Sequence, residues 1–174
     1  MHPKQTTECA KGPIYRMLAD DHARLDQLLQ TAVADVAHVD ERVYTEFRRG
    51  LLRHISMEEK VLLPAAQRAR GGEPLESAAR LRLDHGAIVA LLVPRPTAPI
   101  IAALRHILAN HNRIEEGPDG VYETCERVVG ADRDAVVAAL RATPDVPVHA
   151  LAEPDAVMHA TRRALERAGY ADLL

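Results

Sequence analysis

His54-Ile55-Ser56-Met57-Glu58-Glu59 and His111-Asn112-Arg113-Ile114-Glu115-Glu116 follow one pattern, H-x-x-x-E-E. Each stretch lies in a segment of helical period. Tyr44, Phe47, Leu51, His54, Glu58 and Leu62 are spaced by three or four, as are Ile100, Leu104, Ile107, His111 and Glu115. In a helix, residue i+4 lies about 40° round and about 6 Å up from residue i. His54 and Glu58 therefore share a face, and so do His111 and Glu115. The second glutamates, Glu59 and Glu116, point about 100° away and are expected at the rim. A single pair of this kind is ordinarily a solvated surface contact. Two copies in one short helical chain call for another reason.

Two more histidines lie on apolar stripes of other helical segments. Leu18, His22, Leu25 and Leu29 form one stripe, with Tyr15 a heptad before His22; Ala78, Leu81, His85, Ile88 and Leu92 form another. Taken alone, each is a buried histidine bonded to a neighbour, which for His22 is Asp26, one turn on. Taken together, four helices each supply a histidine, and two of them add a carboxylate.

Turn residues divide the chain. Pro13 suits a first helical turn and opens a helix over 13–35. Asp40 is placed to cap the second helix. Gly50, one turn before His54, costs up to about 1 kcal/mol of helix propensity and leaves room for another helix to approach. Pro64 should kink that helix or end its regular part, and Gly71-Gly72 stops it. The third helix spans about 75–93. Pro94, Pro96 and Pro99 form a stiff connector with Thr97 as a cap, and the fourth helix runs through Glu115. Gly117-Pro118-Asp119-Gly120 breaks it. A short continuation holds Val121, Tyr122, Cys125 and Val128 and ends at Gly130. Weaker helical segments follow at about 132–142 and 154–168.

The expected organisation is an N-terminal arm over 1–12, an all-α, up-down-up-down four-helix bundle over 13–130, and a C-terminal helical appendage over 131–174. The appendage is expected to pack on the bundle or on a second subunit, as in a homodimer.

Composition agrees. Of 174 residues 47% are hydrophobic but only 3% aromatic, with no Trp. Such a core is built from Leu, Val, Ile and Ala, which suits helix-on-helix packing. The net charge is -3 and the arginines alternate with acids, so no basic stripe asks for nucleic acid. No apolar run approaches the roughly 20 residues of a membrane span, and residues 1–8 carry no signal-peptide apolar core. Cys9 and Cys125 lack zinc-site spacing and are expected as free thiols in a soluble, reducing, cytoplasmic setting. His2, His38, His106, His149 and His159 have no matching carboxylate and are expected at the surface or in packing.

Imidazole and carboxylate donors suit iron, manganese or zinc. A carboxylate can also bridge two ions about 3.5–4 Å apart. Metal cations would offset the cost of burying unpaired carboxylates. The Glu-x-x-His signature of ferritin-like sites is absent, as are His-Glu-x-x-His, a phosphate-binding glycine loop and a nucleophile elbow.

With these residues the chain resembles the hemerythrin-like, or HHE cation-binding, family. The resemblance is carried by Asp21-His22-Ala23-Arg24-Leu25-Asp26, by His54 to Glu59 with Leu62-Leu63-Pro64, by Asp84-His85, and by His111 to Glu116. It covers roughly residues 13–130 and implies a carboxylate-bridged pair of non-haem iron ions. His22, His54, His85 and His111 would be terminal ligands, and Glu58 and Glu115 bridges. It further implies a protein that handles O2, NO or another small oxidant. Two departures separate the chain from the oxygen carriers. They have a second histidine one turn from the first in the third helix, where this chain has Leu81 and Val89. Their fourth-helix carboxylate is an aspartate five residues on, whereas here the spacing is four. The four-histidine, two-glutamate set is more similar to iron-centre repair proteins, but the short arm with Cys9 is no match for their N-terminal cysteine-containing domain. Two other readings stay open from sequence: a metal-free interaction or regulatory module, and a di-metal oxidase or peroxidase-like enzyme.

Overall fold

The computed structural model describes residues 11–35 and 38–174. Most of the expected arm, with His2 and Cys9, lies outside the described residues. Helix α1 spans Pro13–Ala32, α2 Glu41–Met57, α3 Leu63–Ala69, α4 Ala78–Leu91 and α5 Ala98–Glu116. Helix α6 spans Val121–Val129, α7 Arg133–Arg141 and α8 Pro154–Arg167. There is no strand among the described residues. The fold is the expected all-α helical bundle, with α1 packed along α2 and α4 along α5.

Local chemistry sets the ends. The Asp40 carboxylate accepts from the Arg42 and Val43 N–H groups at 3.0 Å, capping α2 as its short acidic side chain favours. Thr97 stands before α5 but makes no side-chain cap. The first helix ends at Ala32, short of the expected 35, because the chain turns at Val33. Gly71 and Gly72 stop α3 in left-handed backbone, φ 70° and 102°, which glycine adopts without steric cost. Gly50 meets α1 as expected: a Cβ there would lie 2.7 Å from Leu25 Cδ2.

Near Pro64 the regular part of the helix ends, as expected. The helix is not stopped there; it runs on through α3, where Pro64 occupies the second position. Regularity breaks one turn earlier, in a π-helical segment at Glu58–Leu62, where the Leu63 N–H reaches the Glu58 carbonyl. Such wide turns inside α-helices are frequent at functional sites, and this one begins at Glu58.

The apolar residues form two groups. One holds Ile14, Leu18, Met57, Leu62, Leu81, Val121 and Val136. The other holds Leu25, Leu29, Phe47, Leu51, Ile88, Leu104 and Leu165. Each of the four stripe histidines lies where its helix passes from one group to the other. His22 falls between Leu18 and Leu25, His54 between Leu51 and Met57, His85 between Leu81 and Ile88, and His111 between Ile107 and Ile114. The polar centre is thus a layer sandwiched between two apolar ones. The C-terminal segments join these groups within the same chain, α7 through Val136, Val137 and Leu140, and α8 through Leu165. No described helix is long and apolar enough to cross a membrane.

Candidate metal centre

The structure brings all six sequence-predicted residues together. His22, His54, Glu58, His85, His111 and Glu115 are all buried. Their donor atoms form two overlapping groups, one of Glu58, His85, His111 and Glu115, the other of His22, His54 and Glu58. Glu58 Oε1 lies 3.3 Å from His54 Nε2, and its Oε2 lies 3.2 Å from His85 Nε2. Glu115 Oε1 lies 3.1 Å from His111 Nε2, and its Oε2 3.5 Å from His22 Nε2. Each carboxylate therefore turns one oxygen to the His22/His54 pair and the other to the His85/His111 pair.

The outward ring nitrogens meet a second set of carboxylates. His54 Nδ1 is 2.8 Å from Asp21, His85 Nδ1 2.7 Å from Glu59, and His22 Nδ1 2.5 Å from Glu116. His111 Nδ1 faces Asp84 at the longer distance of 3.6 Å. A carboxylate at Nδ1 holds the ring proton there and presents the Nε2 lone pair inward, the usual arrangement behind a metal-binding imidazole. Three of the four are braced by arginines: Arg24 donates to Asp21 at 2.8 Å, Arg82 to Glu59 at 3.2 Å and Arg80 to Asp84 at 2.6 Å. Burial pushes Asp21, Glu59 and Asp84 up, but their histidine and arginine partners outweigh it and hold all three below the usual carboxylate range.

These contacts correct two expectations. The partner of His22 is Glu116, not Asp26, which bonds Gln30 instead. Glu59 and Glu116 are also more than rim residues, since each holds an imidazole. A sequence signal for the outer set existed: Asp precedes His at 21–22 and again at 84–85, and Glu-Glu closes both motifs. The pairings run between helices, however, and spacing along one helix does not show them.

A fifth element reaches the centre. Tyr122, on α6, is fully buried. Its hydroxyl donates to Glu58 Oε1 at 2.6 Å and lies 3.1 Å from Glu115 Oε2, 3.2 Å from His22 Nε2 and 3.3 Å from His54 Nε2. In the sequence it is merely one apolar position of a short segment.

The electrostatics demand positive charge at the centre. Burial works against charged imidazoles, yet Glu58, Asp21 and Glu115 push His54 up to about 10. Against the same burial, Glu115, Asp84 and Glu58 push His111 up to about 10. Burial also pushes Glu58 up, but His54 and His85 outweigh it and hold it well below the usual range. Burial and the neighbouring Glu58 charge push Glu115 up. Protons on the imidazoles or a metal cation can meet the demand. The donor geometry fits the cation. The buried oxygens Glu58 Oε2 and Glu115 Oε1 have no hydrogen-bond donor. His85 Nε2 and His111 Nε2 face each other at 3.2 Å. Glu59 holds the His85 proton at Nδ1, so unless His111 carries a proton at Nε2 the contact sets lone pair against lone pair. That arrangement, costly in a buried site, becomes favourable around a shared ion.

His38, His106, His149 and His159 are exposed and apart from this cluster. Cys125 is buried and free, its thiol pushed up to about 12 by burial, Glu58, Glu115 and Glu126.

The family model of the hemerythrin HHE cation-binding domain matches residues 13–118, and the chain belongs to that family. No curated protein and no solved structure matches the chain. Membership implies metal binding, and the buried His/Glu cluster is where an ion could be held. The match ends before α6 begins, so Tyr122 stands outside it.

Proposed function

We propose that the protein binds two non-haem iron ions, one between His22 and His54 and one between His85 and His111, with Glu58 and Glu115 bridging them. The observation that carries this reading is that each buried glutamate turns one oxygen to each histidine pair. Manganese or zinc would meet the same nitrogen and oxygen donors; iron is favoured by the family.

Bound iron would supply one-electron redox chemistry and a position for a small ligand such as O2 or NO. The chain's own residues prepare the site for it. Asp21, Glu59, Asp84 and Glu116 orient the imidazoles. The apolar layers on either side exclude bulk water. A cavity of about 500 Å³ reaches His22, with an apolar wall of Leu25, Leu29, Phe47, Leu51 and Leu108 and a polar side of Asp26, Gln30, Arg105 and Asn112. We place the protein among cytoplasmic handlers of O2, NO or a related oxidant, with residues 13–130 as the metal-binding unit and 131–174 as its helical brace.

The test is metal analysis and absorption spectroscopy after anaerobic loading with Fe(II), followed by exposure to NO and to air. Two irons per chain, with a spectrum that changes on NO binding, are expected. Iron-free protein after loading, or iron indifferent to both gases, would reject the reading.

A further inference from the structure

The geometry points to Tyr122 as a direct oxygen ligand of the metal in the His22/His54 half, supplied by a helix outside the matched domain. The inference rests on the di-iron reading and makes it more specific.

A buried tyrosine hydroxyl normally finds one partner. That of Tyr122 stands among four polar atoms, Glu58 Oε1, Glu115 Oε2, His22 Nε2 and His54 Nε2, all within 3.3 Å. All four act as acceptors once the histidine protons are held at Nδ1. The phenol has one proton, and the shortest contact, to Glu58, takes it. The other three contacts set lone pairs against the phenol oxygen. Without a metal, second protons on the imidazoles would relieve this crowding; a cation shared by all five atoms relieves it with the histidine protons left at Nδ1. No imidazole of the His85/His111 pair contacts the phenol among the described hydrogen bonds, so the extra ligand belongs to one half only.

The ring is also firmly placed. It packs edge-on against Tyr15 at 6.0 Å between centroids and lies 5.7 Å from the His22 ring. One turn on, Glu126 accepts from the Ile14 and Tyr15 N–H groups at 2.9 and 3.2 Å. It thereby caps α1, which has no side-chain cap of its own, with a charge suited to a helix N-terminus. Arg133 pairs with the same carboxylate. A Cβ at Gly12 would meet the end of the Glu126 side chain, so the carboxylate sits where only a glycine leaves it room in this rotamer. With α6 pinned in this way, an ion held by His22 and His54 has the phenol oxygen beside it. An ion bound there would take the phenol oxygen as an anionic ligand, and the displaced proton would leave to solvent by way of Glu58, which already accepts it.

The test uses Fe(III)-loaded protein, its iron content, its visible absorption, and resonance Raman spectra excited in the visible. A phenolate on Fe(III) gives a charge-transfer band in the visible and enhanced phenolate ring modes. The unmodified protein should show both. Tyr122→Phe keeps the ring packing and the six His/Glu donors, so it should keep its iron and lose the band and the ring modes. Tyr15→Phe, whose hydroxyl instead donates to the Glu116 carbonyl, should keep them. Iron-loaded unmodified protein without a phenolate signature overturns the inference and leaves the di-iron reading standing, as does a signature that survives Tyr122→Phe. A chain that takes up no iron overturns both. The spectrum of the unmodified protein decides even if the variant folds poorly.

Discussion

The two halves of the centre are built from the same parts but are not equal. His22 and His54 on one side, like His85 and His111 on the other, meet one oxygen from each buried glutamate and have carboxylates behind their rings. The first half alone touches Tyr122, brought in by α6. The second is tied to the C-terminal segment. Arg80, which holds Asp84 behind His111, also donates to the Ala168 carbonyl at 2.8 Å and lies over the Tyr170 ring. A near-symmetric frame of donor atoms is thus made unequal by elements outside the four bundle helices. The shared glutamates couple the halves, and the outer elements distinguish them.

The largest effects should come from breaking what the halves share. Glu58→Ala and Glu115→Ala are each expected to empty both positions, because each carboxylate serves both histidine pairs. Elemental analysis after Fe(II) loading checks this, and one iron retained in either variant would mean independent sites. Next come the histidines. His111→Ala should cost more iron than His54→Ala, since only the His54 side has Tyr122 in reserve. Equal losses in a side-by-side titration would remove that asymmetry.

Stability against pH separates protons from metal as the source of central charge. His54 and His111 are raised from an ordinary 6.5 to about 10. The folded chain therefore holds these protons more tightly than the unfolded one. Their stabilisation is complete below 6.5 and is lost as pH rises through about 10. Chelator-treated protein should show a thermal midpoint that falls across that window. Iron-loaded protein should not, because the metal replaces the protons at Nε2, and its affinity should rise with pH. Parallel curves for the two forms would argue against the cluster as the metal's binding place.

Smaller changes sharpen the contrast. Asp21→Asn and Asp84→Asn should weaken iron binding by roughly 10- to 100-fold, the usual range for partners behind a metal-bound histidine. Asp21→Asn should act on the His54 side and Asp84→Asn on the His111 side. Arg80→Ala, one step further out, should weaken binding by a factor of a few and only on the His111 side. Competition titrations with a chromophoric chelator would resolve these steps, and an Arg80→Ala effect as large as that of Asp84→Asn would show that the C-terminal segment does more than brace.

Much of this was legible in the chain. The helices, the stripes that bury His22, His54, His85 and His111, and the inward placement of Glu58 and Glu115 over Glu59 and Glu116 follow from a period of 3.6 residues, a property of each helix by itself. The family resemblance was legible for the same reason, since its motifs are spaced along single helices. The sequence by itself determined the bundle and which side chains face its axis. Only the tertiary structure decided what those side chains meet. Asp21 is 33 residues from His54, Glu116 94 from His22, and Tyr122 100 from His22. Contacts between helices depend on how the helices cross and where one ends against another. The wide turn at Glu58–Leu62, the cap that Glu126 lends to α1 and the tether from Arg80 to Ala168 are of the same kind. Periodicity is written locally in a chain; pairing across a core is set by packing, and no short stretch of residues spells it out.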